Sequence, residues 1–336
     1  MARVFYSNFD FEHQLAGVPR KNAAAIASTL STAWLAIADA DDCIAGVGSL
    51  DEQSVSELNA FGRRVPMGQL SAGSMAEATL VPWGWDRSAV DFAKRHSLHA
   101  DVPPLESVRE VNSRRFSSAI ETELQCDLNG SAEVDCVDDF IAIASKLSQW
   151  VAKAEFSMSS RERILGTGRP TEQQSNWARN RFDEGSTLYV EPWVELVEEC
   201  GVQFEISQAG DVELIGATGL ITTDNGAFAG CLIGRRGTEP AAWLDLETTQ
   251  RVAGKVAECG YFGPLGIDSA RYKMNGEMHV RPIQDINARY TMGRLSLGWR
   301  DLLSEGQSAA WLFIPGSRAA SLGGVPHDVR VLRTSS

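Results

Sequence analysis

Several common sequence signals are missing from this chain of 336 residues. Basic residues are few, with 31 Lys and Arg against 44 Asp and Glu, and the net charge of −13 argues against nucleic acid or an anionic membrane as the main partner. No uncharged apolar run reaches the length of a membrane span, and the first fifteen residues lack the long apolar core of a signal peptide. We therefore expect a soluble, cytoplasmic protein.

Short motifs for metals and dinucleotides are also missing. No CxxC pair and no Cys/His spacing typical of a zinc site occurs, so we expect reduced thiols, as in a cytoplasm. No GxGxxG follows the first apolar run, which leaves little support for dinucleotide binding. The six cysteines are Cys43, Cys126, Cys136, Cys200, Cys231 and Cys259.

What is present is typical of a globular protein with two domains. Apolar residues make up 43% and charged residues 22% of the chain. Residues 1–110 alternate apolar runs such as Arg3–Tyr6 with helical segments such as Ala23–Leu30, which predicts parallel strands covered by helices. Residues 106–124 are strongly helical, and we place the domain boundary near their start, giving domains 1–110 and 111–336.

The second domain begins with helices and continues as a run of strands. Residues 149–155 alternate like a strand and carry Lys153 at their centre, before the hydroxyl-rich loop SMSSRERILGTGRP. An isolated strand lysine is usually solvated, so the position before this loop is what favours a role for Lys153. Residues 187–194, 202–208, 212–222 and 226–233 then predict antiparallel strands, and Leu246–Glu258 predicts an amphipathic helix.

Residues 263–293 carry the most chemistry. Asn275-Gly276 lies between two strand-like runs and predicts a tight hairpin turn. With a two-residue loop, Met274 pairs with Glu277, and counting outward places Asp268 opposite Ile283. Asp268 and Asp285 are then diagonal neighbours, roughly 7–8 Å apart at the backbone.

Strand alternation places four polar side chains on one face of this hairpin. Asp268, Asp285 and Asn287 can direct oxygen atoms at a hard cation such as Mg²⁺, with Mn²⁺ as an alternative. Arg289 on the same face can bind a phosphate oxygen. A single Asp is often a turn cap, but three polar residues on an otherwise apolar strand favour a ligand site.

This order of features resembles the ATP-grasp superfamily of carboxylate–amine or carboxylate–thiol ligases. The resemblance rests on a strand lysine followed by a small-residue loop, on the strand YVEPWV, and on an acidic hairpin that ends in DINAR. It is strongest from residue 151 to residue 293. It implies an α/β (α+β) ATP-grasp fold with an N-terminal Rossmann-like domain and a lid at about residues 125–190.

The resemblance also implies a role for individual positions. Asp268, Asp285 and Asn287 match the metal ligands, and Arg289 and Lys153 match the catalytic arginine and the lysine that contacts phosphates. Either Glu199 or Glu205 matches the acid that holds the ribose, and Arg114 or Arg115 matches the first phosphate-contacting lysine, with Arg115 taken here. The remaining nucleotide contacts implied are Ser159 and Ser160 in the phosphate loop, and Glu191, Trp193 and Val194 in the hinge strand.

The implied activity joins a small carboxylate to an amine. Magnesium ATP phosphorylates the carboxylate, and the amine displaces phosphate from the acyl phosphate. Two departures from the family pattern leave alternatives to this activity open. The loop SMSSRER lacks glycine, and Asp285 replaces a longer Glu, so an ATP-binding protein without turnover and a kinase-like phosphotransferase remain alternatives. Partners are expected to be ATP and small substrates, and a homodimer is also allowed.

Overall fold

The computed structural model describes residues 2–18, 21–45, 77–156, 162–223, 228–234, 242–312 and 330–333. Within these residues the strands form three sheets, so the mixed α/β class expected from the sequence is confirmed.

The first sheet has three parallel strands. They are β1 (Arg3–Tyr6), β2 (Cys43–Ala45) and β3 (Thr79–Pro82). Strand β1 lies in the middle and pairs in parallel with both neighbours, which confirms the predicted parallel pairing. The helices of this part of the chain are α1 (Phe11–Leu15), α2 (Ala23–Leu30) and α3 (Arg87–His96). Residues 46–76 lie outside the described residues, so the Rossmann-like assignment stays a prediction.

The helical stretch at 106–124 consists of two helices. They are α4 (Leu105–Val111) and α5 (Arg114–Glu123). Ser113 separates them and caps α5 by accepting the N–H of Phe116 at 3.1 Å. Asn112 uses its side-chain amide to accept the N–H of Ala288 at 2.9 Å, which fixes the end of α4 to the DINAR motif. No helix in the described ranges has the length and apolar character needed to cross a membrane.

The second sheet, called the lid sheet below, has four antiparallel strands in the region predicted to be the lid. They are β4 (Ala132–Val134), β5 (Gln149–Ala154), β6 (Arg163–Thr167) and β7 (Leu188–Pro192), in the spatial order β4-β7-β5-β6. Helices α6 (Val137–Ala144) and α7 (Glu172–Asp183) cover one face around the buried Trp150 and Phe140. Strand alternation therefore directs Lys153 and Glu191 to the other face.

The third sheet has the most strands and is called the large sheet below. Its strands are β8 (Glu195–Ile206), β9 (Val212–Thr222), β10 (Phe228–Gly234), β11 (Gly263–Met274), β12 (Glu277–Asn287), β13 (Ser308–Leu312) and β14 (Arg330–Arg333). Their spatial order is β12-β11-β8-β9-β10-β13-β14. One face of β8 and β11 buries Val202, Phe204 and Ile267 in the main core, and α8 (Leu246–Glu258) contacts this sheet. The opposite face carries Asp268 and the glycines beside it.

The hairpin between β11 and β12 has the predicted turn. Met274 pairs with Glu277, and both turn residues have positive φ, 54° at Asn275 and 84° at Gly276. Two positive φ values are characteristic of the type I′ turn, which Asn-Gly favours. The short-range part of the hairpin prediction is confirmed.

Substitution of Gly276 by Ala is expected to lower the free energy of unfolding by about 1–2 kcal/mol, because a Cβ is disfavoured at positive φ. Gly254→Ala is the matched control. Gly254 lies in α8, and no atom stands within 4 Å of the place that a Cβ would take there, so alanine should stabilise the protein by about 0.5–1 kcal/mol. Urea unfolding of both variants measures the two effects, and equal stability of Gly276→Ala and wild type would contradict the turn assignment.

The predicted register beyond the turn is wrong. Asp268 lies opposite Asp285, not opposite Ile283, because the pairing shifts between Asp268 and Ala270. Strand β12 places three residues, Pro282 to Gln284, against the single residue Ser269. Proline has no N–H to give to a strand pair and occurs in sheets on edge strands and at bulges, and both descriptions fit Pro282 in β12. The Ser269 hydroxyl donates to the Pro282 carbonyl at 2.7 Å within the bulge.

Candidate nucleotide and metal site

Two carboxylates face each other across β11 and β12. The shifted register makes Asp268 and Asp285 direct cross-strand partners, which places their Cβ atoms about 4.5–5.5 Å apart instead of at the diagonal separation predicted. Like charges in this position repel each other. A pair of facing carboxylates therefore needs a compensating positive charge.

An amide and a guanidinium flank this pair. The Asn287 amide donates from Nδ2 to Asp268 Oδ2 at 3.2 Å and accepts from Arg289 Nη2 at 2.8 Å. Arg289 also lies 2.5 Å from the buried Glu12 carboxylate of α1. The four predicted residues of the DINAR hairpin are thus brought together, and the first domain contributes a carboxylate to the same place.

The electrostatics of Asp268 fit a divalent cation. The pKa of Asp268 is raised to about 7, first by burial and then by the charge of Asp285, while Arg289 opposes the shift. Gly201 pairs with Asp268 on the neighbouring strand, and a Cβ there would stand 3.4 Å from Asp268 Oδ1. Two oxygen-donating carboxylates and a glycine that leaves room beside them suit Mg²⁺ or Mn²⁺. The Asn287 amide would have to turn to offer its oxygen, because its nitrogen faces Asp268 and its oxygen accepts from Arg289.

The predicted lysine lies in the lid sheet, and it is not solvated. Lys153 Nζ donates to Glu191 Oε2 at 2.5 Å, and both side chains are largely buried. The pKa of Lys153 is lowered to about 8, mainly by burial, with Glu191 acting in the opposite direction. The interpretation of Lys153 as an ordinary exposed strand lysine is therefore excluded.

Two residues that the sequence analysis did not select complete this ion pair. Arg281 of β12 donates to Glu191 Oε2 at 3.1 Å and to Glu121 Oε2 of α5 at 2.9 Å. Burial raises the pKa of Glu121 to about 7 despite the charge of Arg281. Burial acts in the same direction on Glu191, but Arg281 and Lys153 together outweigh it and hold the pKa of Glu191 below its usual range. Two cations and two carboxylates form one buried network.

The two arginines of NSRRF point to different places. Arg114 is buried, and its Nη2 lies 3.9 Å from Asp285 Oδ2. Arg115 is 62% exposed and lies 3.5 Å from Glu133 of β4. The structure therefore brings Arg114, the alternative that was left open, to the acidic pair, and places the selected Arg115 at the lid surface.

The two ribose candidates are also separated. Glu199 accepts hydrogen bonds from Thr222 at 2.7 Å and from Gln284 at 3.0 Å, and its charge acts on Asp268 and Arg163. Glu205 lies at the other end of β8 and pairs with Arg294 at 2.8 Å. Of the two, Glu199 is the one beside the acidic pair.

The predicted hinge residues lie at the end of β7 and directly after it, with Glu191 inside the strand and Trp193 and Val194 beyond it. The N–H of Trp193 donates to the Gln149 carbonyl at 3.0 Å, and the Arg163 guanidinium lies 5.4 Å from the centre of the Trp193 ring. Val194 is half-buried beside it. Ser159 and Ser160 of the predicted phosphate loop lie outside the described residues, so their role stays a prediction.

Sequence signals were present for two of the three residues that were not predicted. Arg281 precedes Asp285 by four positions, so the alternation that selected Asp285 and Asn287 also covers it. Glu121 follows Arg114 by seven residues, which is two helical turns along one face of α5. No comparable signal marks Glu12, since its contact with Arg289 joins distant parts of the chain.

Neither the protein-family models nor the curated proteins give a match to this chain. Solved structures do. N5-carboxyaminoimidazole synthetase from Staphylococcus aureus, complexed with ADP, is 10% identical with a TM-score of 0.48, and the match covers 92% of this chain and 81% of that chain. D-cycloserine synthetase is 13% identical with a TM-score of 0.47, covering 90% of this chain and 97% of that chain.

A third similar structure is the biotin carboxylase domain of Hydrogenobacter thermophilus 2-oxoglutarate carboxylase, in complex with MgADP, ADP and bicarbonate. It is 11% identical with a TM-score of 0.48, and the match covers 92% of this chain and 73% of that chain. Because the identities are low and the TM-scores lie below 0.5, the chemistry of this chain is inferred below from its own side chains.

Proposed function

We propose that this protein is an ATP-dependent ligase that joins a carboxylate to an amine through an acyl phosphate and releases ADP and phosphate. The observation that carries the proposal is the direct opposition of Asp268 and Asp285, with Asn287 and Arg289 beside them. A facing acid pair of this kind is unfavourable without nearby positive charge, and a bound cation would add to what Arg114 and Arg289 supply. The motif resemblance connects that cation to the phosphates of ATP.

Each nearby charge has a role in this reaction. Asp268, Asp285 and Asn287 would hold Mg²⁺, which supplies neutralisation of the charge on the β- and γ-phosphates when bound. Lys153 and Arg114 would donate to phosphate oxygens. Arg289 stabilises the charge that develops as the phosphoryl group moves to the substrate carboxylate. Positioning and charge neutralisation are sufficient, since no covalent bond to the protein is needed.

The nucleotide base and ribose are assigned to the hinge. The backbone of Glu191 to Val194 would contact the adenine, and Glu199 would accept from a ribose hydroxyl. The choice of Glu199 over Glu205 is supported by its place beside Asp268.

The test of this function is acceptor-dependent release of ADP. Purified protein is incubated with MgATP and pools of amino acids, short peptides and small carboxylates, and ADP and phosphate are measured. We expect release that depends on the pool and is lost in Lys153→Met. Calorimetry that detects no MgATP binding to the wild type would contradict the proposal.

One observation favours a second candidate, an ATP-binding protein without turnover. Arg289 is engaged through Nη2 by Glu12 and Asn287, so part of its charge and of its hydrogen-bond donors is taken before a phosphate binds. MgATP binding with no turnover across the pools would support this candidate. Turnover that appears in Glu12→Gln but not in the wild type would identify the Glu12 pair as the cause.

ATP affinity is expected to fall as the pH rises through about 8, because the pKa of Lys153 is lowered to about 8 and only the ammonium form binds phosphate. The unfolded chain keeps this proton to higher pH, so the contribution of Lys153 to the free energy of unfolding rises over the same window. Calorimetry from about pH 7 to about pH 9.5 measures the loss, up to about tenfold per pH unit. Lys153→Arg should flatten the profile, since a guanidinium stays charged; a wild-type profile that is already flat would contradict the role of Lys153.

A further inference from the structure

Four charged side chains are buried together where the lid sheet meets the large sheet. Arg281 is 6% exposed, Glu121 7%, Glu191 10% and Lys153 13%. They come from α5, from β5 and β7, and from β12, so three separate parts of the chain supply them. Buried charges are costly unless they are paired, and these four balance in charge.

The contacts in the network form a series from Glu121 to Arg281 to Glu191. Glu121 holds Arg281 Nη2 with both oxygens, at 3.1 and 2.9 Å. Arg281 in turn uses both terminal nitrogens on Glu191, at 3.1 and 3.2 Å. Two parallel contacts of this kind fix the plane of a carboxylate, as a single contact does not.

The last link in this series is Lys153. Glu191 Oε2 accepts from Lys153 Nζ and is shared with Arg281. An ammonium group has three donors, and Glu191 takes one of them. Arg281 offsets part of the negative charge of Glu191. Glu191 can therefore orient the Lys153 ammonium without neutralising its full positive charge.

We propose that Arg281, held by Glu121, is a positioning residue that fixes Glu191 so that Lys153 is directed at the nucleotide phosphates. The inference rests on the proposed function only in taking Lys153 as a phosphate contact. It adds that the large sheet sets the direction of a lysine carried by the lid sheet. Without Arg281, Glu191 would face Lys153 alone and compete with phosphate for its donors.

The deciding variant is the double substitution Arg281→Gln with Glu121→Gln. It removes one cation and one carboxylate, so the remaining Lys153 and Glu191 still balance in charge, and the variant stays testable if Arg281→Gln alone does not fold. Arg271→Gln is the matched control, because Arg271 lies on the same hairpin in an exposed pair with Glu198 at 2.8 Å. Binding of MgATP and of adenosine is measured by calorimetry.

We expect the double variant to bind MgATP about tenfold more weakly, the loss expected when a charge-assisted contact to phosphate is misdirected. Adenosine has no phosphate, so its affinity should be unchanged, and the control should match the wild type with both ligands. Wild-type MgATP affinity in the double variant would overturn the inference, because the network would then serve only charge balance. An equal loss of adenosine affinity would overturn it as well.

Failure of the proposed function gives a different result. A wild-type protein that binds no MgATP would overturn the ligase assignment and this inference with it. A wild type that binds MgATP, with a double variant of equal affinity, would overturn the positioning role alone.

Discussion

Asp285→Asn is expected to weaken Mg²⁺-dependent ATP binding by about 100-fold while making the metal-free protein more stable by up to about 1 kcal/mol. Both effects have the same origin. Asp285 faces Asp268 directly across the strands, so the wild-type protein contains a repulsion that Arg114 and Arg289 offset in part and that a bound cation would relieve further. Removal of one charge relieves the repulsion and removes a ligand in the same step.

The opposite signs make this prediction specific. Calorimetry with ATP at fixed Mg²⁺ measures the affinity, and urea unfolding in a chelator measures the stability. Glu277→Gln is the matched control, because it removes the same charge from the exposed far end of β12. A variant that loses stability together with affinity would mean that Asp285 supports the fold instead of binding a metal.

Arg281→Gln is expected to lower the free energy of unfolding by about 3–5 kcal/mol, since it leaves Glu121 and Glu191 buried with one cation between them. Adding Glu121→Gln should recover most of this loss, because charge balance returns. Arg271→Gln removes an exposed pair and should cost less than about 1 kcal/mol.

Urea unfolding of the two single variants, the double variant and the wild type forms a thermodynamic cycle. Additive losses from Glu121→Gln and Arg281→Gln would contradict direct coupling between these side chains. Strong recovery in the double variant, combined with weak ATP binding, would separate the contribution of the network to stability from its contribution to the site.

Together these variants distinguish two kinds of buried charge in one protein. In the acidic pair two like charges face each other, so substitution of one of them is expected to raise the stability, as at many functional sites. In the Arg281 network each charge contacts an opposite charge, so substitution of one of them is expected to lower the stability. The sign of the change in stability depends on whether the substituted side chain faces a like or an opposite charge.

Local sequence determined the elements that depend on short-range chemistry. The Asn275-Gly276 turn follows from the ease with which these residues adopt positive φ. Asp86 caps α3 by accepting the N–H of Ala89, and Thr171 and Gln174 form a capping box at the start of α7. Each of these contacts spans only a few residues, so it depends on the local sequence alone.

Only the tertiary structure decided the register and the partners of the hairpin. Counting outward from the turn assumes that each residue of β11 lies opposite one residue of β12. The bulge at Pro282 breaks that assumption. Arg281 contacts Glu121, which lies 160 residues away in the sequence, and the direction in which α5 faces places Arg114 beside Asp285 and Arg115 beside Glu133. The residue types near the hairpin were set by sequence, but their distances depend on how α5, the lid sheet and β12 pack, because contacts between distant segments leave no local pattern.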